Sequence, residues 1–510
     1  SDSTYAAYVA SLNFETIVVG ANDGFFHVFD AQPSTSGGVE LFGFMPQAAR
    51  TKISDLADPA YQHRFTIDGA IGLGHAKIAT PTDPTAKWRT IVVAAGGAGA
   101  QTVFAIDASS KTFDASSVLW ELNPSVLSGA NASAFGNIMG RPVIGKLANG
   151  TWVAIFGNGY NSVSDTAKLF VVRLSDGAII KVLDTNNGVT GNGLGYIEAV
   201  RKTSGAQDTI EYVYGADYKG NIWRFDLSTS STTCTSPSVG GPWCSGAWVY
   251  QTPSGRYITA EIKVGPSPTG APAGKMIYFG TGRYLDGADA SDTTVQALYG
   301  IFDDLYYTLS SAPSFSGDSA LSAMTITMAP SVTDQRSVST PSQPWWQISG
   351  KKGWVVPLTG TGLTPGERVI APPVRYTQSG VVDAFLFTSI VPSPDECQAG
   401  VDTWITAINP ATGGSANAFQ GLGNNSIKIV GGSPRGVFVL SEARAPTLYI
   451  SQTVFNVNSP PTSSFNTIAG GTQTVTINGV PGMTRVIGVN LTPAATVVPT
   501  LTRQIWRQLK

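Results

Sequence analysis

The sequence predicts an all-β protein built like a β-propeller, and three observations carry that prediction. Charged residues make up only 13% of the 510-residue chain, against roughly 25% in an ordinary soluble domain. The chain contains 57 glycines and 31 prolines, which favour turns over long helices. Short segments rich in β-branched and aromatic residues recur along its length. Together these features indicate many short strands joined by tight turns.

The predicted strands are runs of about four to eight apolar residues bounded by Gly, Asn, Asp or Pro. Several come in pairs, in which the second, aromatic strand ends at Asp30, Asp107, Asp226 or Asn409. An Asp or Asn at that position closes an Asx turn onto its own backbone, and glycine supplies the positive φ of a tight hairpin. The clearest segments are ETIVVGA, FFHVFDA, TWVAIFGNG, EYVYGAD, NIWRFDL, KMIYFGTG, VVDAFLFTSI and GVFVLS.

A repeated four-strand unit of this kind predicts a propeller, whose radial repetition leaves only short protected edges. The repeat ends at Asp30 and Asp107 are 77 residues apart, whereas a compact blade needs about 40–50 residues. We therefore expect long inter-strand insertions. The clearest is a Ser/Thr-rich insertion over residues 303–347, in which the segment LSSAPSFSGDSALSAM would form a short helix or a loop. No linker divides the chain, so a single domain over residues 1–510 is expected.

Charge and hydropathy exclude two classes of partner. Lys and Arg total 32 against 34 Asp and Glu, with no basic run, so we expect no nucleic acid held by phosphate neutralisation. The best apolar stretch, residues 91–106, is too short and too glycine-rich for a membrane-spanning segment. The first three residues lack the charged and apolar regions of a secretion signal, so any signal would lie upstream.

The three cysteines are too few for a disulfide scaffold and match no metal-binding spacing. Cys234 and Cys244 share one Ser/Thr/Gly/Pro-rich loop and are close enough to pair in an oxidising compartment. Low charge and abundant Ser and Thr suit an exported protein, which favours a Cys234–Cys244 disulfide with Cys397 unpaired. Two free thiols in the loop are the alternative.

The sequence carries no recognisable catalytic constellation. The three histidines, His27, His63 and His75, form no zinc-binding pattern, and a nucleophile elbow and a Walker lysine are absent. His27 lies within FFHVFD, where strand alternation predicts a structural role. We therefore expect no catalytic residues.

Two acidic loops have some of the oxygen ligands that calcium requires. Asp184 and Asn186 have suitable spacing but no acidic residue closes their loop, and Asp286, Asp289 and Asp292 recur every third residue. Neither pattern completes a calcium loop, so both are interpreted as solvated turns.

Several strings, taken in order, resemble signature segments of the PilY/PilC-type pilus proteins, and the resemblance runs from about Ile17 to Lys510. It implies the C-terminal domain of a type IV pilus tip-associated protein, folded as a modified seven-bladed β-propeller. The strings are ANDGFFHVFDA, LADPAYQHRFTIDG, WVAIFGNGYNS, YVYGADYKGNIWRFDL, IYFGTGRYLD, LYGIFDD, GERVIAPPV, FTSIVPSPDEC and the terminal IWRQLK.

The function implied by this resemblance is non-enzymatic. Such proteins support pilus assembly, oppose retraction, and contribute to twitching motility and adhesion. The implied partners are minor pilins, the type IV pilus tip, and host-cell or surface receptors. The implied location is the pilus tip, cell surface or outer membrane of a Gram-negative bacterium, and a variable N-terminal region would lie upstream of Ser1.

The resemblance also implies a place for a calcium loop, just before the strand EYVYGAD. The corresponding positions here are Thr203, Gly205, Gln207 and Glu211. Three of these four cannot supply a carboxylate to a hard cation. We therefore expect no cofactor and no calcium at this loop, and a calcium site elsewhere is left open.

Two other functions are compatible with parts of the sequence. The turns INPATGG and RLSDG are similar to repeats of quinoprotein-type propeller dehydrogenases, but the calcium cage and the vicinal cysteine pair of such enzymes are missing from the sequence. A propeller scaffold for outer-membrane assembly is the third interpretation.

For the ring itself, the terminal TRQIWRQLK is predicted to pair with ETIVVGA, so that neither end of the ring is left as an open edge.

Overall fold

The structure, a computed structural model, divides into two compact units. One contains Ser1–Gln251 with Tyr307–Ser314, and the other Thr252–Tyr306 with Phe315–Lys510. Whether they form the single domain expected over residues 1–510 stays a prediction. The structure describes residues 3–33, 36–202, 208–234, 241–306, 312–329, 335–378, 382–392, 402–419, 425–429, 433–440, 447–453, 474–475 and 484–490.

The first unit consists of antiparallel meanders. β12 to β15 and β8 to β11 share one sheet through a single parallel pair, Thr209 with Lys146. In chain order the strands are β1 (Thr16–Gly20), β2 (Phe26–Asp30), β3 (Glu40–Phe44), β4 (Ile71–Thr80), β5 (Asp83–Ala95), β6 (Val103–Asp107), β7 (Val118–Leu122), β8 (Val143–Lys146), β9 (Trp152–Gly157), β10 (Lys168–Arg173), β11 (Ile179–Asp184), β12 (Leu194–Lys202), β13 (Thr209–Asp217), β14 (Asn221–Asp226) and β15 (Ala247–Gln251). β1 to β3 form one sheet and β4 to β7 another.

Helices are few and short in the described residues. The α-helices are α1 (Ser3–Ser11), α2 (Gln47–Arg50) and α3 (Gly129–Ala134). Single 3₁₀ turns lie at Ile53–Ala57, Ala115–Ser117, Gly287–Ser291, Asp318–Ala320 and Trp345–Gln347. None of the helices in the described ranges is long and apolar enough to cross a membrane.

Consecutive meanders of the first unit pack face to face. Phe26 of β2 packs with Phe104 of β6 in a T-shaped contact with ring centroids 5.3 Å apart. The opposite face of the β4–β7 sheet packs against Phe156 and Phe170 of β9 and β10. Val153 and Leu169, on the other face of these two strands, contact the core formed with β13 and β14. Burying both faces of a sheet explains the nearly continuous apolar runs seen in the sequence.

The predicted strand ends are confirmed. Asp30 accepts a hydrogen bond from the backbone N–H of Gln32, and Asp107 accepts one from Ser109. Asp226 and Asn409 accept the corresponding bonds two residues further along the chain, at 2.8 and 2.9 Å. Each residue therefore closes an Asx turn that turns the chain away from its sheet.

The second unit contains the remaining strands. β16, β17, β18, β23 and β20 are adjacent in that order, as are β21, β22, β27, β26, β25 and β24, and finally β28, β29, β31 and β30. Their bounds are β16 (Lys263–Pro266), β17 (Lys275–Gly280), β18 (Ala297–Asp303), β19 (Phe315–Ser316), β20 (Ser322–Ala323), β21 (Ile326–Met328), β22 (Gln335–Val338), β23 (Gly353–Pro357), β24 (Val374–Gln378), β25 (Val382–Val391), β26 (Asp402–Ile408), β27 (Ser426–Ile429), β28 (Ser433–Leu440), β29 (Thr447–Thr453), β30 (Thr474–Val475) and β31 (Thr484–Asn490).

The Ser/Thr-rich region over residues 303–347 contains short strands in addition to the short helix or loop expected for its segment LSSAPSFSGDSALSAM, where a 3₁₀ turn lies at Asp318–Ala320. Its described residues include the four short strands β19 to β22. β20 pairs in parallel with β23, and β22 pairs with β27. These strands have only two to four residues. Such short strands cannot be recognised from an alternation of apolar and polar residues. They form because backbone donors and acceptors need partners and the neighbouring sheets supply them.

The terminal TRQIWRQLK lies outside the described residues. Its pairing with the first strand stays a prediction.

Candidate functional site

The turn at residues 173–177, with the sequence RLSDG, is a packing element between two sheets. The indole N–H of Trp120, on β7, donates to the carbonyl of Leu174 at 2.8 Å. Gly177 has φ +75°, and a Cβ there would lie 2.8 Å from the Trp120 ring. The turn thus needs a glycine because a tryptophan of the preceding sheet lies against it.

The turn after β26, with the sequence INPATGG, repeats this arrangement in the second unit. The Trp354 indole, on β23, donates to the carbonyl of Pro410 at 3.0 Å. Gly413 has φ +79°, and a Cβ there would lie 2.5 Å from the same indole ring. In both turns the glycine follows the accepting carbonyl by three residues. The motifs that resemble quinoprotein repeats therefore have a structural explanation that requires no cofactor.

Of the four calcium-loop positions, only one lies in the described residues. Thr203, Gly205 and Gln207 lie outside the described residues, whereas Glu211 is on β13. Asp208, which precedes β13, forms an exposed ion pair with Arg201 at 3.5 Å. Arg201 lies at the end of β12 beside Lys202. Two basic residues thus stand beside the family loop position, and Arg201 is paired with Asp208.

The side chains of the first acidic loop already have other partners. Asp184 forms an ion pair with Lys168 on the neighbouring strand and accepts the backbone N–H of Asn186 at 2.8 Å. Asn186 has φ +54°, a conformation that Asn tolerates in turns. This arrangement is a capped strand end.

In the second acidic loop the expectation of a solvated turn is wrong for Asp289, which is fully buried, whereas Asp286 is exposed. The Asp289 carboxylate accepts Arg283 Nε at 2.6 Å and the backbone N–H of Leu285 at 2.7 Å. Burial raises the pKa of Asp289, but these hydrogen bonds outweigh it and hold the pKa below its ordinary value. Asp286 caps the same 3₁₀ turn, and Asp292 accepts the N–H of Thr294.

Arg368 holds this loop from a distant part of the chain. Its guanidinium donates to the carbonyl oxygens of Arg283, Asp289 and Asp292. It also donates to Gly366 at 2.9 Å. The sequence did not predict this contact. Every residue has a backbone carbonyl, so the residue type does not indicate which carbonyl accepts the hydrogen bond.

Cys234 and Cys244 are joined by a disulfide, with Cα atoms 4.8 Å apart. Cys244 is buried next to Trp243, whose indole N–H donates to Thr229 at 3.2 Å. Cys397 lies outside the described residues.

Mass spectrometry of non-reduced peptides should find Cys234 linked to Cys244 and Cys397 as a free thiol. Because the bond closes a loop of only ten residues, replacing both cysteines by serine should cost about 2–3 kcal/mol by the chain-entropy estimate. The variant should still fold. A peptide joining Cys397 to either partner would refute the assignment.

Within the described residues, no three His, Cys, Asp or Glu side chains gather as metal ligands. His27, predicted to be structural, lies on β2 and has both ring nitrogens within hydrogen-bond distance of carboxylates.

The structure has its counterparts among type IV pilus proteins. The family model of the PilY1 beta-propeller domain matches residues 2–317. A type IV pilus biogenesis factor PilY1 homolog of Xylella fastidiosa is 36% identical over 440 residues, covering 81% of this chain and 27% of the relative. The type IV pilus biogenesis factor PilY1 of Pseudomonas aeruginosa strain PAO1 is 28% identical, covering 78% and 35%. The chain thus spans about a third or less of these relatives.

A solved structure supports the same fold. The crystal structure of the Pseudomonas aeruginosa PilY1 C-terminal domain aligns with a TM-score of 0.66 at 24% identity, covering 87% of this chain and 93% of that one. The protein is all-β with a β-propeller arrangement of its sheets. It belongs to the PilY1 β-propeller family, whose matched relatives are type IV pilus biogenesis factors.

Proposed function

We propose that this chain is the propeller of a type IV pilus biogenesis factor that supports pilus assembly, opposes retraction, and contributes to twitching motility and adhesion. The family match over residues 2–317 carries the proposal. The Xylella fastidiosa relative, matched over 81% of this chain, adds support beyond that range. The proposed location is the pilus tip or outer surface of a Gram-negative bacterium, after export.

The proposed propeller has seven blades with long inter-strand insertions. The described strands support this count because they form seven groups of adjacent strands, in which nearly all pairs are antiparallel. Four are β1–β3, β4–β7, β8–β11 and β12–β15, and three more are centred on β17, β26 and β29. The shared sheet of β8–β15 counts as two blades, since only one residue pair joins its halves.

Minor pilins, the pilus tip and host-cell or surface receptors are the proposed partners. The test is to delete the gene in its native bacterium and restore it as the full-length protein. Surface pili and twitching should be lost on deletion and regained on restoration, and minor pilins should co-purify with the restored protein. Normal piliation in the deletion strain would overturn the proposal, and capture of a barrel-assembly complex instead would favour the scaffold interpretation.

The proposed function involves no catalysis. The comparisons give no support to a quinoprotein-type dehydrogenase, and the similar turns are accounted for by Trp120 and Trp354. A quinone absorption band in the visible spectrum of the purified protein would contradict this.

The proposal includes stability without calcium. Because Arg201 and Lys202 border the family loop position, and Asp289 is committed to Arg283 and backbone donors, thermal melts in calcium and in chelator should coincide. A chelator-induced fall of more than a few degrees would contradict the prediction and indicate a calcium site elsewhere in the chain.

A further inference from the structure

His27 bridges two carboxylates that come from different parts of the first sheet. Its Nδ1 is 2.7 Å from Glu40 Oε1 on β3, and its Nε2 is 3.0 Å from Asp23 Oδ2 in the β1–β2 turn. A neutral imidazole has one N–H and one acceptor nitrogen, whereas an imidazolium has two N–H groups. Both contacts are hydrogen bonds only when His27 is protonated.

The surroundings of His27 favour the charged form. Partial burial lowers the pKa of His27, but the hydrogen bonds and charges of Glu40 and Asp23 outweigh burial and raise the pKa above its ordinary value of 6.5. β1 places Val19, which does not titrate, opposite His27. The rings of Phe25 and Phe29 flank the imidazole. Glu40 and Asp23 are therefore the titratable groups that control it.

The turn that carries Asp23 also anchors a second segment. Asn22 accepts the backbone N–H of Thr66 at 2.9 Å through its side chain, and its carbonyl accepts the Thr66 hydroxyl at 3.0 Å. The N–H of Ile67 donates to the carbonyl of Ala21. At the other end of the segment, Gly24 lies against the side chain of Ile53. A Cβ added to Gly24 would be 3.1 Å from Ile53 Cδ1. The turn thus contacts both ends of residues 53–67.

The middle of that segment forms an exposed loop with apolar side chains. Every residue from 56 to 65 is exposed, including Leu56 at 42%, Tyr61 at 36% and Phe65 at 52%. The loop is organised by short-range bonds, such as the N–H of Arg64 to the Tyr61 hydroxyl at 3.1 Å. Its attachment to the rest of the unit depends on its two ends, as in a compact surface loop.

We propose that His27, Asp23 and Glu40 form a proton-dependent clasp that fixes the β1–β2 turn and, through it, the base of loop 53–67. With His27 protonated, the imidazolium ties Asp23 to Glu40. After deprotonation one of the two bonds is lost and the turn is released from β3. The clasp goes beyond the proposed function and does not depend on it.

The sign of the pH dependence follows from the direction of the shift. A group whose pKa is higher in the folded state stabilises that state fully below its unfolded value, here 6.5. The stabilisation is lost as the pH rises through the folded pKa. The clasp therefore holds the loop below about pH 6.5 and loosens it as the pH rises through the folded pKa of His27.

The first test is an NMR titration of the histidine ring protons in the purified protein. With three histidines in the chain, comparison with His27→Gln assigns the His27 signal. Its midpoint should lie above 6.5, and Glu40→Gln and Asp23→Asn should each lower it. Asp176→Asn, which removes an exposed carboxylate paired with Arg173, should leave it unchanged. A midpoint at or below 6.5, or one insensitive to Glu40→Gln, would overturn the proposal.

The second test measures whether protonation of His27 changes the stability of the loop. Hydrogen exchange of residues 21–25 and 60–67 is followed across the titration and corrected for the intrinsic effect of pH. In the wild type, exchange should become several-fold faster as His27 deprotonates. His27→Gln should show no such step, and His63→Gln, a substitution within the exposed loop, should retain it. Equal pH profiles in the wild type and His27→Gln would overturn the coupling.

Discussion

Replacing Glu367 by glutamine should destabilise the second unit by about 3–5 kcal/mol, the cost of leaving a buried charge unpaired. Glu367 forms two hydrogen bonds of 2.6 Å with the Arg336 guanidinium. The side chains of the two residues are 1% and 0% exposed. Glutamine keeps the shape but removes the negative charge, and its amide N–H₂ would face the guanidinium donors.

The other partners of this pair in the described part of the chain are neutral. Ser389 donates to Glu367, and Arg336 donates to Ser426 at 3.1 Å. The Arg336 guanidinium also lies 4.2 Å from the centre of the Trp404 ring. These partners are neutral, so they orient the ion pair without replacing the carboxylate charge.

The prediction is measured by denaturant unfolding of Glu367→Gln beside the matched control Asp383→Asn. Asp383 forms a bidentate pair with Arg375, about half exposed, and exposed pairs contribute about 0–1 kcal/mol. The control should therefore unfold nearly as the wild type does. If both variants lose the same stability, burial of the Arg336–Glu367 pair does not have the assigned effect.

The second large effect is expected at Gly159, where alanine should cost at least about 4 kcal/mol, at the upper end for single substitutions. Gly159 has φ +69°, and a Cβ there would overlap the carbonyl oxygen of Asn137. That carbonyl cannot move away easily, because it accepts the N–H of Tyr160 at 3.0 Å, while the N–H of Asn137 donates to Tyr160 at 2.6 Å.

Gly150→Ala is the matched control. Gly150 has φ +87°, but a Cβ at that position would meet nothing within 4 Å. Alanine there should cost only the strain of the left-handed conformation, about 1–2 kcal/mol. Thermal or denaturant unfolding of both variants separates strain from collision. Equal losses at Gly150 and Gly159 would show that the Asn137 carbonyl adapts.

Local features of the fold were predictable from the sequence. The Asx turns at Asp30, Asp107, Asp226 and Asn409 depend on one side chain and its neighbouring backbone, so residue type and position were sufficient. The apolar runs also predicted strands. A strand whose two faces are both buried has apolar residues at nearly every position, and such a run can be recognised in the sequence. The resemblance then placed these strands in the correct family.

Contacts between distant residues were not predictable. Arg336 and Glu367 are 31 positions apart, and neither is preceded by a pattern that marks a buried pair. β20 and β22 are strands because β23 and β27 offer them partners, which no property of the Ser/Thr-rich segment indicates. His27 was assigned to a strand, but its bridge between Asp23 and Glu40 depends on the pairing of β2 with β3.

The position of Arg368 in the sequence also means that the loop it holds is synthesised before Arg368 itself. Asp289 and Arg368 are 79 positions apart. At about 5–20 residues per second, the ribosome adds Asp289 roughly 4–16 s before Arg368, whose guanidinium holds the carbonyls of this loop. Until then the buried Asp289 carboxylate and its neighbouring carbonyls have only local partners. The loop therefore reaches its final hydrogen-bonded form only after Arg368 has been added.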